Sequence, residues 1–249
     1  MLRRIVVLAV LLSTSYAQTR WKQVETLHFD WAGPGQTATF ILEKTQQSDD
    51  PGDFTRLRIR TPGHREFVLT DSDGLVNFRK EVCSFKADFC SKKNLVATDH
   101  VLLLPVAGRI ILFVFGWAYA SSPGSFHAIA LDEGGMPFEL LSLEEFDFVD
   151  FIEVDSDRTP AIAGKKCLSQ EWGHDFLTYD PYSVYLLPKS QSGKATYSLE
   201  LSKQYNLKHY YGWAGPNCSE DYAVVLHPPG RKKPIIMKSK DAEKLFEKK

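Results

Sequence analysis

The first residues that suggest chemistry form a short acidic loop. Glu153, Asp155 and Asp157 alternate along the segment "EVDSDRTPAIAG". Calcium loops place carboxylate ligands at alternate positions, a glycine at the sixth position and an acid near the end. Counted from Glu153, the sixth position is Arg158 and the ninth is Ala161. The three acids are candidate calcium ligands, but a solvated acidic turn without a metal is the interpretation we prefer.

A second candidate site is a run of aromatic residues near the C-terminus. The segment "HYYGWAGPN" contains His209, Tyr210, Tyr211 and Trp213. Aromatic faces with polar tips suit the rings of sugars and the surfaces of peptides. These four residues are therefore candidate binding residues for a protein or glycan ligand, with ordinary packing as the alternative.

Catalytic motifs give little support for an enzyme. The sequence has no G-x-S-x-G, no H-E-x-x-H, no P-loop and no dinucleotide fingerprint. His174 and Asp175 are adjacent, but adjacent side chains on an extended chain point to opposite faces, so no catalysis is predicted at His174. We expect a non-enzymatic binding or envelope-associated module. The alternative is a secreted hydrolase that acts on glycan or peptide.

The motif "WAGP" occurs twice, near the two ends of the chain. Gly35 and Asn217 stand at equivalent places after the two motifs, and a strand-like segment follows each. Both residue types tolerate a left-handed backbone. We predict two copies of one degenerate acidic loop, in which Trp31 and Trp213 pack beside the strand. Two coincidental turns are the alternative.

The acidic loop resembles the D-x-D-x-D-G-x-x-E/D loops of FG-GAP or VCBS-like repeats in integrin-type β-propellers. More closely, residues 153–226 are similar to an uncharacterised group of secreted bacterial proteins. Those proteins join one such loop to a "CLSQ…LTYDP…VY" stretch and end in residues like "YNLKHYYGWAGPNCSEDY". The resemblance implies an exported protein with propeller-like sheets.

The N-terminus is typical of a secretory signal peptide. Arg3 and Arg4 precede a short apolar run, and Ser15 and Ala17 follow as the small residues that signal peptidases prefer. We predict a signal peptide over residues 1–17, a single domain over residues 18–249, and a secreted or periplasmic location. The 30 basic and 31 acidic side chains nearly balance, which gives no argument for a nucleic-acid partner.

The four cysteines are candidates for two disulfides, because an exported protein meets an oxidising compartment. Three pairings of Cys83, Cys90, Cys167 and Cys218 are possible. We favour Cys83 with Cys90, which closes a small loop, and Cys167 with Cys218. A zinc site is not indicated, because there is no C-x2-C pair.

Strand signals dominate the chain. Short segments rich in β-branched or aromatic residues alternate with turns of Gly, Pro, Asp and Ser. These segments are "ATFILEK", "FTRLRIR", "REFVLT", "HVLLLP", "RIILFVF", "SFHAIAL", "YSVYLLP", "ATYSLEL", "DYAVVLH" and "PIIMK". Between them, "TDSDGLV" carries Asp71, Asp73 and Gly74, which suit a metal loop but which we predict to form a hairpin turn.

The most apolar stretch, residues 101–115, looks membrane-like at first. Pro105, Gly108 and Arg109 interrupt it, which predicts two buried strands joined by a turn instead. Helical periodicity is confined to "SKDAEKLFEKK", where Ser239 can cap a short helix. We therefore predict an all-β domain of antiparallel hairpins, propeller-like or sandwich-like, with a short C-terminal helix and no membrane span.

Overall fold

The computed structural model is mainly antiparallel β-sheet, so the predicted all-β, sandwich-like class is confirmed. Three sheets stack in chain order, a two-stranded hairpin follows them in sequence, and a helix covers the third sheet. The structure describes residues 20–45, 53–63, 65–76, 96–106, 108–117, 124–154, 159–165, 182–209, 223–226, 230–233, 235–238, 241 and 244.

The first sheet is a four-stranded meander. Its strands are β1 (Trp21–Asp30), β2 (Thr37–Thr45), β3 (Phe54–Arg60) and β4 (Glu66–Leu75). Side chains alternate between the two faces of a strand, so "RLRIR" divides into an inner and an outer set. Leu57 and Ile59 are fully buried, whereas the three arginines lie on the opposite, outer face.

Strand β4 runs through "TDSDG", so the predicted hairpin turn there is wrong. The register pairs Arg56 with Thr70 and Phe54 with Leu75. Residues 71–74 therefore form a bulge of four residues opposite Thr55 alone, and Gly74 within it has φ 89°. The turn chemistry of these residues is used for a bulge inside one strand, because both flanking segments pair with β3.

The central sheet has five strands in chain order. They are β5 (Val96–Ala97), β6 (Leu102–Val106), β7 (Arg109–Phe115), β8 (Phe126–Leu131) and β9 (Pro137–Leu143). The prediction of two buried strands and a turn within residues 101–115 is confirmed, with Gly108 in the turn at φ 77°. The sequence there is almost uniformly apolar because both faces of this sheet are covered.

The third sheet is another meander, and a helix packs on its outer face. Its elements are β10 (Asp147–Val154), β11 (Thr159–Lys165), β12 (Tyr182–Leu186), β13 (Thr196–Tyr197) and α1 (Leu199–His209). The predicted strand "ATYSLEL" is wrong beyond Tyr197. Ser198 caps the helix there, its hydroxyl accepting from the Leu201 amide at 3.3 Å.

The C-terminal region is described only in part. Strands β14 (Ala223–Leu226) and β15 (Ile235–Lys238) form an antiparallel hairpin, as their sequences predict. Asp241 and Lys244 are helical, and their Oδ1 and Nζ atoms lie 3.4 Å apart, which agrees with the predicted C-terminal helix. The other residues of that segment lie outside the described part.

Two apolar cores separate the three sheets. One lies between the first and central sheets and includes Phe40, Leu57, Leu112 and Ile129. The other lies between the central and third sheets and is rich in phenylalanine. Successive residues of β7 and β8 point into the two cores in turn. Among the described residues, no helix is long and apolar enough to cross a membrane.

Candidate functional site

The acidic loop is described only at its start. Glu153 lies exposed near the end of β10. Asp155 and Asp157 lie outside the described residues, so calcium binding by the loop stays a prediction. Elsewhere in the described ranges, no group of three or more His, Cys, Asp or Glu side chains is arranged to hold a metal ion.

The other predicted site residues lie almost wholly outside the described part. His209 ends helix α1, and Tyr210, Tyr211 and Trp213 follow it beyond the described range. His174 also lies outside it, as do the four cysteines for which disulfides are predicted, namely Cys83, Cys90, Cys167 and Cys218.

The first WAGP loop is described. It connects β1 to β2 of the first sheet and contacts the central sheet. Gly35 has φ 73° and Trp31 is 4% exposed, so the left-handed turn and the buried tryptophan are confirmed for this copy. The Trp31 Nε1 atom donates to the Ile110 carbonyl of the central sheet at 2.8 Å. Asn217 and Trp213 are outside the described residues, so the repeat itself stays a prediction.

Asp30 closes this loop and does not act as an open acidic ligand. Its carboxylate accepts from the Thr37 hydroxyl at 2.5 Å and from the Gly35 amide at 3.0 Å. These two bonds, that of Thr37 first, lower the pKa of Asp30 below its ordinary 3.8. The loop is therefore a hydrogen-bonded hairpin that presents Trp31 to the central sheet.

The described residues with the most distinctive chemistry form a polar group between the first and central sheets. We call Asp71, Ser125, His127, Glu139 and Ser142 the interlayer cluster. His127 lies on β8 and is 7% exposed. Its Nδ1 atom is 3.2 Å from Glu139 Oε1 and 3.2 Å from the Ser142 hydroxyl. Its Nε2 atom is 3.7 Å from Asp71 Oδ2.

Two bulges bring the carboxylates to His127. The four-residue bulge of β4 carries Asp71 of the first sheet. In the central sheet, Ala128 pairs with Leu141 and Ile129 with Glu139, so β9 has one extra residue at Leu140. That residue shifts Glu139 onto the face that carries His127. Bulges commonly re-aim a side chain in this way.

A close contact between Gly116 and Ser125 helps to position the hydroxyl that binds Asp71. The Ser125 hydroxyl hydrogen-bonds to Asp71 Oδ2. A Cβ atom on Gly116 would lie 1.9 Å from Ser125 Oγ and 2.6 Å from Ser125 N. Only glycine fits this point, where Gly116 also bridges to Leu75 of the first sheet.

The charges of the cluster reinforce one another. Burial by itself lowers the pKa of His127, but Asp71 and Glu139 outweigh it and raise the pKa above its ordinary 6.5. Asp71 Oδ2 lies 3.7 Å from Nε2, and Asp71 favours the protonated ring together with Glu139. The hydrogen bond from His127 lowers the pKa of Glu139 below 4.5, against the opposing effect of burial. The cluster therefore favours an imidazolium between two carboxylates.

This arrangement is poorly suited to general-base catalysis. A catalytic histidine must offer a neutral nitrogen to the nucleophile. The nitrogen beside the Ser142 hydroxyl is also the one that Glu139 contacts, so in the imidazolium it is a donor. Nε2 has no hydrogen-bond partner within the part of the chain that the structure describes. The geometry fits a charged tie between sheets better than a nucleophile and its base.

The outer face of the first sheet carries a second charged group. We call Glu43, Arg56, Arg58, Arg60 and Glu66 the arginine ladder. Glu43 Oε2 is 2.6 Å from Arg56 Nη2, and Glu43 also holds Arg58 through two hydrogen bonds of 2.9 and 2.7 Å. Glu66 is 2.7 Å from Arg60 and 3.5 Å from Arg58.

The ladder stands beside an aromatic ring. The Arg56 guanidinium lies 3.6 Å from the centre of the Trp21 ring, an optimal cation–π contact. Burial of Glu43 opposes its ionisation, but hydrogen bonds from Arg58 and Arg56 lower the pKa of Glu43 below 4.5 overall. The ladder is therefore charged over the physiological range, with three guanidinium groups and two carboxylates.

Sequence reasoning did not identify either group. Asp71 was assigned to a hairpin turn, and His127 to one of the predicted strands. The available signal was a histidine inside the apolar strand "SFHAIAL", since a buried histidine needs polar partners. Comparisons with protein-family models, curated proteins and solved structures found no match for this sequence.

Proposed function

We propose that this protein is an exported, non-enzymatic β-protein that binds a protein or glycan ligand, as a binding or envelope-associated module. The observation that carries the proposal is the outer face of the first sheet. It combines Trp21 with three arginines in regular register, and arginine and tryptophan are enriched in binding interfaces.

The three ladder arginines differ in how much of their side chain is exposed. Arg56 and Arg58 have 19% and 21% of their side-chain surface exposed, whereas Arg60 has 52%. Two partly covered guanidinium groups thus sit beside a more open one. Because the ladder has one more guanidinium than carboxylate, we expect its complementary ligand to be anionic. Planar guanidinium groups pair with carboxylates and sulfates in two-point contacts.

Binding to defined polymers tests the proposal. The full-length mature protein should bind polygalacturonate, dextran sulfate or poly-glutamate more tightly than neutral dextran in a calorimetric titration. The first two are glycans and the third is a polypeptide, so the comparison separates the two ligand sources. Salt should weaken the binding, because exposed charges are screened.

Matched variants locate the surface. Arg60→Gln should reduce affinity for the preferred polymer several-fold, because Arg60 is the most exposed ladder arginine. Arg231→Gln, in the basic C-terminal segment, is the control and should bind like the wild type. Equal loss in both variants, or no preference for any anionic polymer over neutral dextran, contradicts the proposal.

A hydrolase is the second candidate, and one contact favours it. The exposed Ser142 places its hydroxyl 3.2 Å from a histidine nitrogen, the separation expected of a nucleophile and its base. Chromogenic glycoside, ester and peptide substrates would reveal such an activity. Loss of a measured hydrolysis in Ser142→Ala, with the fold retained, would establish the enzyme. Unchanged hydrolysis in that variant, or none in the wild type, favours the binding module.

A further inference from the structure

The contact between the first and central sheets combines apolar packing with a few polar ties. Trp31 donates to the Ile110 carbonyl, and Arg65 donates to the Gly134 carbonyl at 2.5 Å. Neither of these ties depends on pH near neutrality, because indole does not titrate there and arginine stays charged. The histidine of the interlayer cluster is different, since imidazole changes its charge in this range.

We propose that the interlayer cluster is a protonation-dependent lock between the first and central sheets, in which protonated His127 bridges Asp71 of one sheet and Glu139 of the other. Deprotonation loosens the lock, and the first sheet separates more easily from the central sheet. The inference is independent of the binding function proposed above.

The geometry carries the proposal. The imidazole ring is nearly buried and lies between carboxylates on two different strands, at 3.2 Å from one and 3.7 Å from the other. An imidazolium has an N–H for each carboxylate, whereas a neutral imidazole has only one. After deprotonation, the ring keeps a single N–H and loses its positive charge, so the carboxylates lose their charged partner in a site that excludes most water. The loss of that contact is costly for a buried charge.

The surrounding groups all act in the same direction. From β4, Asp71 faces Nε2, and from β9, Glu139 and Ser142 face Nδ1. Ser125, which immediately precedes β8, donates its hydroxyl to Asp71. Lys194 lowers the pKa of Glu139 by its charge, which preserves the second carboxylate. Among the described residues, the charged side chains that act on His127 are Asp71 and Glu139.

The direction of the pH dependence follows from the raised pKa of His127. The contribution of the lock to stability is fully present below the ordinary value of 6.5. It is lost as the pH rises through the higher folded-state value. The first sheet should therefore become easier to detach on the alkaline side, while protonation of Glu139 weakens the lock only under strongly acidic conditions.

Nitrogen-15 NMR of the imidazole rings in the full-length protein tests the lock directly. The His127 signals, assigned by their loss in His127→Gln, should titrate with a midpoint above 6.5. Glu139→Gln should lower that midpoint, because it removes the closer carboxylate. Glu133→Gln is the matched control, since Glu133 is an exposed acid in the β8–β9 turn, and it should leave the midpoint unchanged. A midpoint at or below 6.5 overturns the proposal.

Urea unfolding tests the consequence. From about pH 6 to about pH 9, the wild type should lose stability relative to His127→Gln, with the difference closing as His127 deprotonates. His28→Gln replaces an exposed histidine on the outer face and should keep the wild-type profile. If the difference in unfolding free energy between the wild type and His127→Gln does not change with pH, the lock is refuted. If His127→Gln does not fold, the ring whose midpoint changes in Glu139→Gln but not in Glu133→Gln identifies His127, and those titrations still decide.

Discussion

The two faces of the central sheet are covered by different kinds of core. Toward the third sheet, aromatic rings pack against one another: Phe126 lies within 6 Å of four phenylalanine rings, those of Phe113, Phe115, Phe146 and Phe148. Toward the first sheet, the packing is largely aliphatic and polar ties accompany it. The same strands supply both faces, because their residues alternate.

The polar ties on the two sides also differ. On the third-sheet side, the Arg109 guanidinium donates to the carbonyls of Pro188 at 3.0 Å and Ser190 at 3.2 Å. On the first-sheet side, two contacts use histidine: His127 with Asp71, and His100 Nδ1 with Glu25 at 2.8 Å. Arginine keeps its charge and histidine does not. Among the described residues, these histidine contacts lie on the first-sheet side of the central sheet, whereas arginine makes the tie on the third-sheet side.

The largest expected effect comes from the aromatic side. Phe126→Ala removes a fully buried ring at the centre of the phenylalanine packing and should cost about 3–5 kcal/mol of unfolding free energy. Because the described residues of that core include no histidine, the loss measured by urea unfolding should be the same at pH values on both sides of 7. A loss that varied strongly with pH would break the comparison.

Gly116→Ala should perturb the other interface through its backbone. The added methyl group would overlap Ser125, whose hydroxyl bonds to Asp71, so strands β7 and β8 must move apart. Overpacking of this kind costs about 1–3 kcal/mol. Thermal unfolding measures the loss, and the His127 titration should shift in the same variant. An unchanged titration would show that Ser125 does not help to position Asp71.

Gly35→Val tests the hairpin that presents Trp31 to the central sheet. A Cβ atom at Gly35 meets no atom within 4 Å, so the cost is that of the left-handed backbone alone, about 1–2 kcal/mol. Gly35→Asn is the matched control and should cost less, because asparagine tolerates this conformation. Equal losses in chemical denaturation would indicate that the valine acts through crowding instead.

The smallest expected effect separates the ring of Trp31 from its hydrogen bond. Trp31→Phe keeps an aromatic ring against Phe40 but removes the donor to the Ile110 carbonyl. The expected loss is about 1 kcal/mol, and it should not depend on pH between 6 and 9, in contrast to the loss in His127→Gln. A pH-dependent loss in this variant would mean that the interlayer cluster loosens with it.

Much of the fold could be predicted because strand signals are local. Strands β3 and β7 coincide with the segments "FTRLRIR" and "RIILFVF", whose alternation or continuous apolarity reflects burial on one or two faces. Strands β1, β5, β9, β10 and β11 were not predicted, since β5 has two residues and "WKQVETLHFD", "PFELLSL" and "DFVDFIEV" mix acids with apolar residues. Helix α1 was predicted as strand at its start because Thr196 and Tyr197 favour extended backbone, and the cap at Ser198 was overlooked.

Local patterns in the sequence were sufficient to predict the all-β class, the alternation of buried and exposed side chains, the buried position of the 101–115 strands and the left-handed glycine after Trp31. These properties depend on residues that are close together in the chain. The position of His127 between two acids depends instead on contacts between distant segments. Each acid reaches it through a bulge, and a one-residue change in register moves a side chain to the other face of its sheet.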